Sequence, residues 1–399
     1  MSLERMTSTE RQAASSLSAI MALRMIGLFM VVPVFSIYAR QLKGATPTLI
    51  GLALGIYGLT QALCQIPFGA LSDRVGRKPI IFVGLCIFAI GSVVAASADS
   101  IVLVIVGRAL QGIGAVGSTV LAMLADLTRE EQRTKAMAIA GISIGLSFSL
   151  AMMIGPLLSQ WLAVNKLFYL ASCFSLVAII ILYKFVPNPA APTWHPDTEP
   201  QLSTFLSFLC QPELARLNSG IFILHAIFTA SFIALPISLQ QVTGLAVTHY
   251  WLLYLPTLLL ACILTLFFIR SAEKNRQIKS YFLASIVTLA IAECLFWVAP
   301  IHLLVIALGL CLFFTGFSIL EAFLPSLVSR TAPPAKKGSA LGVYSCAQFL
   351  GIFSGGVLGG WIYGQFHSAG VYIFCIVLAL LWLTFALFMQ PPYYRFHSS

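Results

Sequence analysis

Ionisable side chains are rare in the long apolar runs of this sequence, so those that occur there ask for a purpose. They are Arg24, Arg108, His225, Glu293 and Glu321. In a run that crosses a bilayer, a charge at mid-helix costs about 2.5–3.5 kcal/mol even on the lenient insertion scale, which makes each a functional-site hypothesis. Desolvation disfavours a carboxylate, so a buried carboxyl group can take up a proton at ordinary pH. Glu321 and Glu293 are the carboxyl groups so placed. His225 can titrate near neutral pH, or can simply bond a neighbouring helix. Arg24 can hold an anionic group or act on a nearby acid. Arg108 is a further charge of the same kind.

A second concentration of chemistry is "GALSDRVGRKPI", Gly69 to Ile80, which packs Asp73, Arg74, Arg77 and Lys78 between two apolar runs. Basic residues there can serve topology, holding a loop in the cytoplasm. Acids contribute little to orientation, so Asp73 is not explained that way. Nor are the glycines: Gly69 would let another helix come close, and Gly76 can take a positive φ in a short turn.

The elements that must position these residues follow from composition. The chain has 399 residues, 59% hydrophobic and 9% charged, against about 25% charged for a soluble domain. Reading apolar runs between polar breaks predicts about twelve helices of ~20 residues. Their cores are 14–39, 48–70, 79–97, 101–125, 135–160, 166–186, 216–240, 249–269, 280–299, 302–328, 338–363 and 370–389. With the N-terminus in the cytoplasm, roughly 18 of the 23 Lys and Arg residues fall on the cytoplasmic side. The expectation is therefore an all-α integral membrane protein, N-in and C-in. This bias also accounts for most of the net charge of +10, which then needs no nucleic-acid partner. Nine scattered cysteines, without a C-x-x-C pair, suggest neither disulfides nor a metal site.

"VPNPAAPTWHPDTEPQLST", Val186 to Thr204, reads as a linker. It divides the chain into a six-helix bundle at 1–186, a cytoplasmic connection at 187–214 and a second six-helix bundle at 215–399. The halves echo each other at an offset of about 200 residues. "SDRVGRK" lines up with "AEKNRQI", so Asp73 faces Glu273 and Arg74 faces Lys274, while the Gly-Arg-Lys part is lost. Such a duplication is a transporter architecture, with the substrate site near the midplane.

Three motifs carry a family resemblance. "GALSDRVGRKPI" resembles motif A of the major facilitator superfamily. "GRALQGIGAVGSTVLAMLADL" resembles its motif B, with Arg108 as the arginine. "SFSLAMMIGPLLSQ" is similar to motif C of its proton-coupled drug antiporters, keeping Gly155-Pro156 but with Ser159-Gln160 where a glycine pair is usual. Within the superfamily, "LRMIGLFMVVPVF", "LGIYGLTQALCQIPFG" and "LEAFLPSLVSR" resemble the YajR-type branch of efflux transporters. Members of that branch often carry a small soluble C-terminal domain. This sequence stops at "MQPPYYRFHSS", so regulation through such a domain is expected to be absent.

The resemblance implies a fold of two pseudo-symmetric six-helix bundles in which the second helix packs on the eleventh at the cytoplasmic side. Asp73 would then latch a cytoplasmic gate near the start of the eleventh helix, with Asp126 as the partner of Arg77. It puts the helices of Arg24, His225 and Glu321 beside a central cavity, which makes Glu321 the first choice for the proton site, and the helix of Glu293 in a supporting position. Motif B arginines are held to help move a proton, and Arg108 could equally bond carbonyls. Candidate cavity residues are Phe29, Tyr38, Tyr57, Tyr254, Tyr344 and Gln348. Candidate hinge residues are Gly141, Gly145, Gly155 and Pro156; small residues four apart let helices approach.

"GIGAVG", Gly112 to Gly117, matches a dinucleotide pattern but lies inside an apolar run, where it serves helix packing. There is no nucleotide-binding loop, zinc cluster or catalytic triad pattern, so the expectation is a non-enzyme without cofactor, driven by a proton gradient. The leading function is proton-coupled export of small lipophilic or drug-like molecules by alternating access. Proton symport or uniport of a metabolite is the alternative within the class, and a non-transporting membrane sensor the alternative outside it. The expected setting is the inner membrane, with protons, a small molecule and the bilayer as partners and a monomer as the working state.

Overall fold

A computed structural model of the chain describes residues 6–114, 116–188, 211–244, 246–298, 302–333 and 337–389. Its elements are helices: α1 (Ser8–Phe29), α2 (Val32–Ala39), α3 (Pro47–Val75), α4 (Arg77–Ala96), α5 (Ile101–Ile113), α6 (Gly117–Asp126), α7 (Glu130–Leu158), α8 (Val164–Lys184), α9 (Pro212–Thr243), α10 (Trp251–Lys274), α11 (Ile278–Val298), α12 (Leu303–Thr331) and α13 (Lys337–Leu387). No strand forms among the described residues; an isolated bridge joins Lys43 to Ser100. Helices are what apolar chain must form in lipid, where each backbone N–H and C=O has to be satisfied within its own segment. Counting α1 with α2 and α5 with α6, eleven helices among the described residues are long and apolar enough to cross a membrane. One of them, α13, is 51 residues long and leaves helical geometry at His367 (φ 55°, ψ −158°). The linker expected at 187–214 lies, for residues 189–210, outside the described residues.

Two expected helices are interrupted. The first span breaks at Met30–Val31, between α1 and α2. Pro33, in the first turn of α2, has no N–H to give and its ring crowds the carbonyl four residues back. Gly155 of α7 lies directly against the Met30 carbonyl oxygen, an approach that only a missing side chain permits. The fourth span breaks between Ile113 and Gly117, within its glycine-rich stretch.

The chain forms two compact units: Met1–Ala45 with Ile56–Glu199 and Val247–His249, and Thr46–Gly55 with Pro200–Ala246 and Tyr250–Ser399. In the first, Thr7 and Glu10 cap α1 reciprocally: the Thr7 hydroxyl accepts from the Glu10 N–H and the Glu10 carboxylate from the Thr7 N–H. Glu10 also accepts from the Arg129 backbone N–H at 3.0 Å and side-chain Nε at 2.9 Å. One carboxylate thus fastens the start of α1 to the start of α7.

In the second unit, α13 lies close along α9. Gly351 backs onto the Phe222 carbonyl, Gly355 onto Ala226 and Gly359 onto Ala230, one contact per turn. On the neighbouring face of α13, Gly356 and Gly360 meet Gly51, Gly55 and Pro47 at the start of α3. Small residues at this spacing bring backbones together where side chains would hold them apart. That close approach sets the register of the site below.

Candidate functional site: two buried polar groups

In the second unit, His225 of α9, Glu321 of α12 and Gln348 of α13 converge. The Gln348 amide nitrogen lies 2.9 Å from His225 Nε2 and 3.2 Å from Glu321 Oε1. His225 Nδ1 faces the Ile221 carbonyl at 3.3 Å. A neutral imidazole fits these partners: Nδ1–H donates to Ile221, Nε2 accepts one Gln348 hydrogen, and the other goes to Glu321. Glu321 Oε2 has no hydrogen-bond partner and lies 3.8 Å from His225 Nε2. Tyr344, one turn before Gln348, is buried and leaves its hydroxyl unpartnered. A proton added to Glu321 or to His225 would change who donates and who accepts here, and would be felt by three helices.

A row of rings runs on from this group. His225 meets Phe317 (centroids 5.5 Å apart), Phe317 meets Phe228 (5.1 Å), Phe228 meets Phe232 (4.8 Å) and Phe232 meets Tyr254 (6.5 Å). Glu293 of α11 lies elsewhere in the unit, wholly buried, 2.5 Å from the Ser231 hydroxyl.

In the first unit, Arg24 of α1 and Arg108 of α5 flank Tyr57 of α3. All three are buried. Arg24 Nη2 donates to Gln61 at 2.9 Å, and its guanidinium lies 5.8 Å from the Phe88 ring centroid. Arg108 donates to Gln111 at 2.8 Å and covers the Tyr57 ring at 4.4 Å. Phe29 meets Tyr57 edge-on at 6.3 Å. Gly112 of α5 rests directly on Tyr57 and Thr60 of α3, which draws the two helices together here. Tyr38, half-buried, packs on Phe35 within α2 and is not brought into this group.

At the α3–α4 turn of the same unit, Gly76 takes φ 102° and caps α4. Arg77 pairs with Asp73 and, at 3.0 Å, with Asp126 at the end of α6; it also donates to Ser72 at 2.6 Å. The Lys78 ammonium donates to the Val186 carbonyl at 2.7 Å and to Asn188 at 2.6 Å. Arg74 is exposed.

The sequence profile of the Major Facilitator Superfamily matches residues 17–356. The chain belongs to that superfamily. It is 44% identical over 390 residues to the inner membrane transport protein YajR of Escherichia coli K12, covering 98% of this chain and 86% of that one. It is 26% identical over 358 residues, 86% of each chain, to the multidrug resistance protein MdtH of Aeromonas salmonicida. Its fold is similar to that of a bacterial homologue of the human lysosomal transporter Spinster, with a TM-score of 0.77 and 15% identity over 97% of this chain and 98% of that one. Like other superfamily members it is a multi-pass membrane protein and a secondary transporter.

Some superfamily expectations need correction. Among the described residues of its own unit, a Cβ at Gly69 would meet Ser118 Oγ at an ordinary 3.9 Å, with no closer contact. A Cβ at Gly141 or Gly145 would meet nothing within 4 Å. Four-residue spacing permits an approach but does not create one. Within the second unit, α13 packs closely on Pro47, Gly51 and Gly55 at the start of α3. Sequence reasoning missed Glu10 with Arg129, although Thr-x-x-Glu at a helix start is a legible capping signal. It also missed Phe228, Phe232, Phe313 and Phe317, whose i, i+4 spacing on two helices marks facing stripes.

Proposed function

We propose that this transporter exports small lipophilic or drug-like molecules in exchange for protons, by alternating access. The observation that supports the reading most is the His225–Gln348–Glu321 group. It combines an acid, an imidazole and an amide, shared among three helices of one unit, in a span where charge is otherwise excluded. A carboxyl that can exchange its proton there, with Gln348 donating to it more strongly while it is charged, ties protonation to helix position. Arg108 and Arg24 are the corresponding charges of the first unit, and the aromatic rows offer apolar contact to a drug-like body. The name of the MdtH relative agrees with this reading.

The rest of the assignment follows the same proposal. The break at His367 separates two spans, giving twelve, with both termini in the cytoplasm and residues 187–214 as the connection between bundles 1–186 and 215–399. The setting is the inner membrane and the working state a monomer. No cofactor is assigned, since the proton gradient supplies the energy. Asp73, Arg77 and Asp126, at the α3–α4 turn, act as a conformational latch, while Arg74 and Lys78 hold the turn in the cytoplasm.

Everted membrane vesicles carrying the protein test the reading. With respiration holding the interior acid, an exported compound should collapse the pH gradient as it exchanges for protons, and Glu321→Gln should abolish the response. A panel of lipophilic cations, neutrals and acids that leaves the gradient untouched would contradict it.

A further inference from the structure

Arg24 is an unusual object in the first unit: a guanidinium buried to 1% exposure whose Nε and Nη1 have no hydrogen-bond partner. The side-chain carboxylates of this unit, among the described residues, are Glu10, Asp73, Asp99, Asp126, Glu130 and Glu131, and each lies in a terminal helical turn or a loop. Glu10, on the same helix, is about 21 Å away along the axis. An isolated buried cation is costly, and a planar guanidinium is the side chain best shaped to take a carboxylate or phosphate. Gln61 occupies Nη2, which fixes the fork and leaves the other donors unspent. The surroundings are aromatic: Phe88 beside Arg24, Tyr57 under Arg108, and Phe29 against Tyr57. In the second unit the ionisable group is of the other kind, with half-buried Glu321 beside His225.

We propose that Arg24 is the recognition residue for an anionic group on the cargo, and that the cargo is an aromatic or lipophilic acid, its ring held by Tyr57 and Phe29. This rests on the transporter reading and narrows it. The proton and the cargo then use different chemistry: the proton goes to a carboxyl of the second unit, the acid to a guanidinium of the first. A neutral amide of the same shape would leave the guanidinium unpaired and gain only ring contact.

The test is binding to the purified protein in lipid nanodiscs, by titration calorimetry. The probes are benzoate, 1-naphthoate and 4-phenylbutyrate, each against its own primary amide. Wild type should bind at least one acid ~10-fold or more tightly than its amide. Arg24→Gln should bring that ratio to about one, and Arg24→Lys, which keeps the charge but loses the fork, should reduce it several-fold. Monodisperse gel filtration of each variant establishes folding; if Arg24→Gln fails it, the Lys variant decides. Equal binding of acid and amide, no binding of any acid, or a ratio unmoved by the substitution would overturn the proposal. If cations or neutrals collapse the pH gradient in everted vesicles while the acids fail here, the exporter reading stands and the anion site falls. Acid-over-amide binding without any vesicle response has the opposite meaning.

Discussion

Gln348 gives both hydrogens of one amide nitrogen, to His225 and to Glu321. A hydrocarbon side chain of similar size would leave both partners without this donor. Hydrogen bonds to a charged group contribute about 1.5–3 kcal/mol, and a buried acceptor left unpaired costs a comparable amount. Gln348→Leu should therefore lower coupled transport by about 10- to 100-fold with the protein still folded, read as the initial rate of gradient collapse per unit of inserted protein. The Arg77–Asp126 pair is of another kind. Asp126 is 44% exposed and Arg77 18%, so it contributes little to stability and suits a contact that opens and closes. At this scale the sequence was informative about identity and silent about proximity. His225, Glu321, Tyr344 and Gln348 each stand out as polar residues in apolar runs. That Gln348 bridges the other two depends on the register of α13 against α9, which side-chain types alone do not encode.

That register is set at the level of elements. Gly351, Gly355 and Gly359 place α13 against the backbone of α9, and His225 and Gln348 lie within the same stretch. Gly355→Leu would drive a side chain into Ala226, where even a Cβ on the residue would meet backbone. Overpacking of this sort costs about 1–3 kcal/mol. A lowered unfolding temperature in detergent, together with lost coupling, is the expected result, and Gly364→Leu should be milder because a Cβ there has ordinary contacts of 3.6–3.8 Å. The turn of the repeat gives an independent check. Gly76 has φ 102°, and Arg276, its counterpart about 200 residues on, keeps a positive φ of 55°. Both positions thus have φ > 0, one with a glycine and one without. Gly76→Ala should cost about 1 kcal/mol, whereas Arg276→Gly should be neutral or stabilising, by thermal unfolding. Spans and the repeat were legible because apolar length and offset survive in one sequence. The breaks at Met30–Val31 and Gly114 were not, because Pro33 and the glycines act there through a neighbouring helix.

For the whole molecule, the proposed division of labour is between buried cations in one unit and a half-buried acid with its buried histidine in the other. Neither composition nor the family shows this, because both concern the chain rather than its two folded units. The α3–α4 turn belongs to the same scale, since a latch has meaning only for a molecule with two conformations. Asp73→Asn removes one carboxylate from Arg77 and leaves Asp126 in place. It should alter insertion and stability little while raising the reactivity of single cysteines placed along the cytoplasmic halves of the spans; unchanged labelling would remove Asp73 from the latch. The central claim, that Glu321 carries the coupling proton, is met most directly in proteoliposomes containing purified protein and a compound found to discharge the vesicle gradient. Two modes are compared in wild type and Glu321→Gln: uphill movement driven by an imposed pH gradient, and exchange of labelled for unlabelled compound with no gradient. Glu321→Gln should lose uphill movement down to the level of protein-free vesicles and keep exchange at a rate near that of wild type. Uphill movement that persists in Glu321→Gln would contradict the account.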